Sequence, residues 1–194
     1  MPRAGLSRDA VTQAALAIID EAGARGFDTL TLASVAARVG VSGPSLYKHI
    51  GSLADLRREV ALASVRELTR LLSSATVGRA AEEAVIALAA EVRAFAQRSP
   101  GRYLSTQRAG DPRDPADTEL IAAGGESVAV ISSALRGYGF TPEQRIDAIR
   151  AFRSAVHGYV LLELEGGFAL ARDLDASFST LTRMLTQGLA NLGR

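Results

Sequence analysis

Tyr47, Lys48 and His49 set a phenol, an ammonium and an imidazole on successive residues of the stretch GVSGPSLYKHI, residues 40–50. The chain uses such groups sparingly. Its 22 basic residues are all arginine except Lys48, and His49 is one of 2 histidines. All three side chains can donate hydrogen bonds to phosphate oxygens. On an ideal helix Tyr47 and His49 lie about 200° apart, with Lys48 between them. If Leu46 and Ile50 face inward, one broad face carries the three donors. Gly43, Pro44 and Ser45 extend that face toward the helix start. A lone tyrosine on a short helix also fits a core position, and His49 also fits a surface position without a role.

Other chemistries find less support. There is no cysteine, so thiolate zinc sites, disulfides and cysteine nucleophiles are excluded. The second histidine, His157, lies far along the chain, and two histidines need several converging carboxylates to hold zinc. No G-x-S-x-G, phosphate loop or H-E-x-x-H occurs. The paired acids Glu82 and Glu83 fall on a polar helix face and read as solvated. The expectation is a protein that is not an enzyme, with no catalytic residue, no metal and no cofactor.

The donor face needs a scaffold. Thr31 can cap a short helix through Arg38, with Leu32, Val35, Ala36 and Val39 inward. Gly40 can take the positive φ of a tight reversal. Ser42 then caps a second short helix, with Pro44 tolerated in its first turn and Gly51 at its end. Helix, glycine turn and helix have the spacing of a helix-turn-helix, which would hold the second helix for entry into a major groove. Spacing alone leaves open an ordinary helix pair of an all-α protein.

The rest of the chain reads as helices too. Val11, Ala14, Ala15, Ile18, Ile19 and Ala22 form a stripe opened by Ser7 and closed at Gly23 and Gly26. Ser52 and Asp55 suggest a capping-box variant for a helix reaching about Leu72. SSATVG at 73–78 reads as a joint. A further stripe runs through Val85 to Ala96 and is stopped by Ser99-Pro100-Gly101. RAGDPRDPAD at 108–117 is a Pro/Asp/Gly loop. Helices follow over about 117–137, from Thr141-Pro142-Glu143-Gln144 to about Glu165, and from Asp173 or Asp175 onward. The fold class expected is all-α, with about nine helices.

Composition agrees. Apolar residues are 47% and aromatic residues 5% of 194, an alanine- and arginine-rich mixture that favours helix. The longest apolar run, Ala84 to Ala90, falls well short of the roughly 18 residues that span a bilayer. MPRAGLSRDA carries no apolar signal core. The expectation is a cytoplasmic protein without membrane attachment. The net charge of +1 points to no partner, so nucleic acid would have to meet a small, shaped surface.

TLTLASVAARVGVSGPSLYKHIGSLADLRREV, residues 29–60, resembles the DNA-binding signature of the TetR family of transcriptional regulators. In that signature a threonine opens the first helix of the pair, a GVS turn follows and LYxHF ends the recognition helix. The resemblance implies phosphate contacts by Thr31, Ser42, Tyr47 and His49. It places Gly43, Pro44, Ser45 and Lys48 at the groove, where Lys48 can read a base or hold another phosphate. Ile50 replaces the usual phenylalanine, and Leu53 stands where the family usually has lysine. A weaker resemblance covers residues 151–178, similar to the C-terminal domain of a TetR subgroup with a Trp-His-Gly motif. Here Val156 precedes His157 and Gly158.

That likeness implies a helix-turn-helix domain over 1–52, a connecting helix over 53–72 and a ligand-binding and dimerisation domain over 73–194. The partners implied are double-stranded operator DNA, a small-molecule effector of unknown identity and a second copy of the chain. A repressor released by its effector is the commoner use of this architecture, and a homodimer would read a palindrome. Helices 142–165 and 175–192 are the candidate dimer face, although the stripe Phe178, Leu181, Leu185, Leu189 and Leu192 also fits an internal core. By position, Phe95, Tyr103, Leu104, Gln107, Phe152, Val156, His157 and Leu161 are the effector candidates. His157 also fits a hydrogen-bonded core histidine. A helical adaptor that binds no DNA, or an enzyme, would be the alternative class.

Overall fold

A computed structural model describes residues 6–193. The first five residues of the stretch read for a signal core lie outside them. Ten α-helical segments and short 3-10 turns, with no strand, make up the described residues. They are α1 (Arg8–Ala22), α2 (Gly26–Thr29), α3 (Leu32–Val39), α4 (Gly43–Leu46) and α5 (Leu53–Thr76). Next come α6 (Ala81–Arg98), α7 (Pro100–Ser105), α8 (Thr118–Ala134), α9 (Pro142–Leu164) and α10 (Leu174–Leu192). No helix among them is long and apolar enough to cross a membrane. The all-α expectation holds, and α2 is a single turn that the sequence did not signal.

The chain divides into two compact units. One comprises residues up to Val65 together with Ser99–Ala122, the other Arg66–Arg98 with Ala123 onward. In the first unit, Ser7 Oγ accepts from the Ala10 N–H at 3.1 Å and starts α1. Val11, Ala15, Leu16 and Ile19 are buried on one side of α1 against Leu30, Val35, Leu46, Ile50, Leu56 and Val60. Leu53, where a lysine was the family's habit, packs against this core.

Two expected helix boundaries are corrected. α5 runs on to Thr76, through most of the stretch read as a joint, and the chain turns at Val77-Gly78. Ser74 Oγ and Thr76 Oγ1 donate back to the Arg70 and Leu72 carbonyls, so these residues sit in helix without losing their hydrogen bonds. Pro100, expected to stop a helix, also opens one. Proline suits the first turn of α7, and Gly101 lets that turn lie on the end of α1. A Cβ at Gly101 would stand 2.7 Å from the Ile19 carbonyl oxygen and 2.8 Å from that of Gly23. Arg102 Nε and Nη2 then clasp the Asp20 carboxylate at 2.9 and 2.6 Å.

The loop 108–117 is fastened to α5 by a charge cluster that the sequence did not disclose. Arg58 donates from Nε to Asp117 Oδ1 at 2.5 Å, from Nη1 to Asp55 Oδ1 at 2.7 Å and from Nη2 to Asp114 Oδ2 at 3.0 Å. The expected Ser52–Asp55 box is only half made. Ser52 Oγ accepts from the Asp55 N–H at 3.0 Å, but the Asp55 carboxylate turns to Arg58, the stronger charge-assisted partner. Donation from Arg58, then from the Asp111 N–H, holds the Asp117 carboxyl down at about 2. A depressed carboxyl pKa stabilises the fold above its unfolded value near 3.9, and that stability is lost as pH falls toward 2. Asp117→Asn should therefore cost stability at pH 6, and the gap from the parent should close between about pH 4 and pH 2 in urea titrations.

The second unit is built from α6, α9 and α10 with parts of α5 and α8. Thr141 and Gln144 form the full capping box expected at the start of α9. Arg93 on α6 joins the three helices. It grips Glu163 of α9 through Nε at 2.8 Å and Nη2 at 2.5 Å, and reaches Asp175 of α10 at 2.7 Å. Its guanidinium lies 4.9 Å from the Phe178 ring centre.

Candidate nucleic-acid interface

The turn geometry follows from Gly40. It has φ 70° and ψ 34°, the left-handed region, and its N–H closes on the Ala36 and Ala37 carbonyls. Val41 N–H then bonds the Ala36 carbonyl at 3.0 Å, completing the helix end. The chain leaves α3 sharply and enters α4 through Ser42, with Pro44 in the first turn. Regular helix ends at Leu46, earlier than the Gly51 limit expected from sequence. The last turn tightens instead, with the His49 and Ile50 N–H groups both directed at the Leu46 carbonyl. That tightening carries Ile50 into the core at 1% exposure, directly after exposed Tyr47 and Lys48 and half-buried His49.

Tyr47 is 56% exposed, which rejects the core alternative for it. Lys48 is exposed and His49 half-buried. None of the three side chains has a hydrogen-bond or ion-pair partner among the described residues. Their donors are therefore uncommitted inside the protein. Gly43 and Pro44 are exposed beside them, and a Cβ at Gly43 would meet nothing within 4 Å. The fold itself thus leaves open space against the backbone of the first helical position.

The hydroxyl groups are less free than expected. Ser42, taken as a side-chain cap, makes no such bond; its Oγ lies 3.0 Å from Ser45 Oγ. Each of these serines has a polar neighbour that competes with the α4 backbone. Thr31 does cap α3, accepting from the Ser34 N–H at 3.1 Å. Its own hydroxyl donates to Ser34 Oγ at 3.1 Å, while Ser34 Oγ donates to the Thr31 carbonyl at 2.8 Å. A serine three residues on closes the box, a role the sequence reading did not assign to Ser34. A phosphate contact through Thr31 Oγ1 must exchange one of these bonds, so the net gain is a fraction of the roughly 1 kcal/mol of a neutral hydrogen bond.

Lys48→Ala should separate two roles for the single lysine. Loss of preference at one base pair across a panel of operator variants means base readout. Uniform weakening with a salt slope shallower by about one means a phosphate contact.

The effector candidates divide between the two units. Phe95, Phe152 and Val156 are buried in the second, at 0%, 2% and 1% exposure, with His157 and Leu161 half-buried on the same helix as the last two. Burial, and then the charge of Arg153, lowers the pKa of His157, which keeps the imidazole neutral at pH 7. Tyr103, Leu104 and Gln107 belong to the first unit; Tyr103 is buried and Gln107 is exposed. The α10 stripe turns out to be internal at Phe178 and Leu189, while Leu192 is exposed. Among the described residues no three His, Cys, Asp or Glu groups converge on a metal-binding geometry.

Residues 11–60 match the bacterial regulatory proteins of the tetR family, and residues 85–185 match the tetracyclin repressor-like C-terminal domain. An uncharacterized HTH-type transcriptional regulator of Mycobacterium tuberculosis, Rv0681, is 37% identical over 96% of this chain and 83% of its own length. A second, YobS of Bacillus subtilis, is 30% identical over 97% of this chain and 95% of its own. Among solved structures, a TetR variant from Acinetobacter baumannii AYE in complex with minocycline superposes with a TM-score of 0.71. It covers 97% of this chain and 99% of its own at 24% identity, a likeness of fold.

Proposed function

The chain belongs to the TetR family of bacterial helix-turn-helix transcriptional regulators, and on that footing we propose that it is a repressor, held as a homodimer on a palindromic operator and released by a small-molecule effector. The observation that carries this reading is the face of Tyr47, Lys48 and His49, three donors with no partner among the described residues on a turn anchored by buried Leu46 and Ile50. Thr31, Ser42, Tyr47 and His49 are assigned to phosphates. Gly43, Pro44, Ser45 and Lys48 are assigned to the groove. The region 1–52 is the DNA-binding domain, 53–72 the connection, and 73–194 the region that binds effector and dimerises.

The dimer is assigned to α9 and α10. Phe178 and Leu189 of the α10 stripe are used internally, so the contact falls to outward apolar residues: Ile146 and Leu162 on α9, Met184 and Leu192 on α10. Gly158 and Gly188 leave the backbones of these helices approachable, since a Cβ at either would meet nothing within 4 Å. The effector is placed in the second unit, at Phe95, Phe152, Val156, His157 and Leu161. His157 would add a polar group to apolar Phe95, Phe152, Val156 and Leu161, the composition of a small-molecule site. Minocycline in the Acinetobacter TetR variant supports a small molecule as the class. His157-Gly158 aligns the C-terminal region with the Trp-His-Gly subgroup, with buried Val156 in place of the tryptophan. Action on chromosomal DNA makes the protein cytoplasmic.

Induction follows from linkage: an effector that binds better to the form with low operator affinity lowers that affinity, and DNA lowers effector affinity by the same factor. Selection of bound duplexes from a random pool tests the reading. The expected product is a palindrome with half-sites spaced by about one DNA turn or a multiple of it. A single unrepeated half-site would reject the dimer. A compound that binds the protein and leaves operator affinity unchanged would reject itself as an inducer.

A further inference from the structure

The loop 108–117 is held by charge and hardly by apolar packing. Of its residues only Asp117 is buried, at 2% exposure; Ala109, Pro112, Pro115 and Ala116 are exposed. Asp114 and Asp117 organise around the contact with α5, whereas Asp111 pairs with Arg113 at the surface and Arg108 also reaches Asp117 Oδ1 at 3.3 Å. Asp117 Oδ2 accepts from the Asp111 N–H at 2.8 Å, and Asp114 Oδ1 accepts from the Ala116 N–H at 2.9 Å. The other oxygens of both carboxylates take Arg58. Arg58 itself is 9% exposed, so opening the loop cannot leave it in place. A buried guanidinium stripped of partners is strongly disfavoured, and the side chain must move to water or draw Asp55 with it.

Asp55 is the route toward DNA. Its backbone N–H is capped by Ser52, and its Oδ2 stands 2.9 Å from where a Cβ on Gly51 would be. Gly51 follows Ile50, the residue that anchors the donor turn in the core. Arg58 thus connects the loop to the start of α5 and, through Asp55 and Ser52, to the end of the turn carrying Tyr47, Lys48 and His49.

We propose that Arg58 is a positioning residue for operator binding: with Asp114 and Asp117 it fastens the 108–117 loop to α5, and DNA binds the fastened form better than the loosened one. This rests on the operator reading above. Reciprocity then requires that operator DNA tighten the loop, although the loop supplies none of the assigned DNA contacts. A loop held by few apolar contacts opens locally at less than the cost of global unfolding, with the loss of the Arg58 pairs as the main penalty, so the effect falls within reach of amide exchange.

The test uses the full chain and the duplex chosen by selection. Saturating operator should slow exchange at the Asp111, Ala116 and Asp117 amides, and a scrambled duplex should do so less. Asp114→Asn, a change at a half-exposed carboxylate, should weaken operator binding by about 5- to 10-fold with the melting temperature nearly unchanged. Arg58→Lys should recover part of the affinity that Arg58→Met loses. Arg113 is exposed on the same loop, and its surface pair with Asp111 at 2.9 Å contributes little; it therefore controls for direct contact, and Arg113→Ala should bind as the parent does. Unchanged exchange on the operator, full affinity in Asp114→Asn, or weakened binding in Arg113→Ala each overturns the proposal. If the parent chain selects no duplex at all, it is the operator reading that fails.

Discussion

Replacing Tyr47, Lys48 and His49 together with alanine is expected to abolish operator binding while leaving the fold intact. Two neutral or partly charged contacts contribute about 1–1.5 kcal/mol each and a lysine–phosphate or lysine–base contact about 1.5–3 kcal/mol. Their sum, about 3.5–6 kcal/mol, corresponds to a loss of a few hundred-fold to about ten-thousand-fold. It also approaches the gap of about 4–10 kcal/mol that separates specific from non-specific binding. The variant should therefore behave on its operator as it does on random DNA. The fold should survive because Tyr47 and Lys48 are exposed and none of the three side chains has a partner among the described residues. Substitutions at such sites shift stability by about 0.5 kcal/mol or less. Gel shift and a thermal melt measured by circular dichroism check both halves. Retained specific binding would move the recognition element elsewhere.

Gly101→Ala should damage stability more than any exposed change near the DNA face. Alanine is the better helix former by about 1 kcal/mol, so propensity alone favours the substitution. The new Cβ would stand 2.7 and 2.8 Å from two backbone carbonyl oxygens of the α1 end. Backbone cannot rotate aside as a side-chain tip does, so α7 must lift from α1. Overpacking costs about 1–3 kcal/mol. The lift also loosens the half-buried Arg102–Asp20 pair, adding up to about 1 kcal/mol. After the propensity gain is subtracted, a net loss of up to about 3 kcal/mol is expected in urea unfolding. Gly43→Ala is the control: its Cβ meets nothing within 4 Å, so the propensity gain should appear unopposed. If both variants are equally stable, the close approach of α7 to α1 is not tight in solution.

The local rules in the sequence were reliable where a short stretch suffices. Ser7, Thr31, Thr141 and Asp173 each stand one residue before a helix and cap it. Gly40 takes the left-handed conformation its place in the turn demands. The signature at 29–60 was legible because a helix-turn-helix is built from neighbours, within one run of about thirty residues, and its spacing is its geometry. Boundaries were less legible. Serine and threonine at 73–76 look like a joint, yet their hydroxyls can bond back to the helix and extend it. Ser42 looked like a cap, yet Ser45 is a nearer partner for its hydroxyl.

What no local rule could supply is which distant residues meet. Arg58 is one arginine among many until Asp114 and Asp117, more than fifty residues later, close on it. Arg93 likewise waits for Glu163 and Asp175, and Pro100-Gly101 reads as a stop until the end of α1 is found lying against it. The amino-acid sequence by itself determined most of the helices, the turn and the three donors at 47–49, because backbone conformation and periodicity act over a few residues. Only the tertiary structure decided that the loop 108–117 belongs to the compact unit that contains α1–α4 and that the α10 stripe is buried at Phe178 and Leu189. Those outcomes depend on which buried charges and apolar faces find partners across the chain, and pairing at that range leaves no periodic trace.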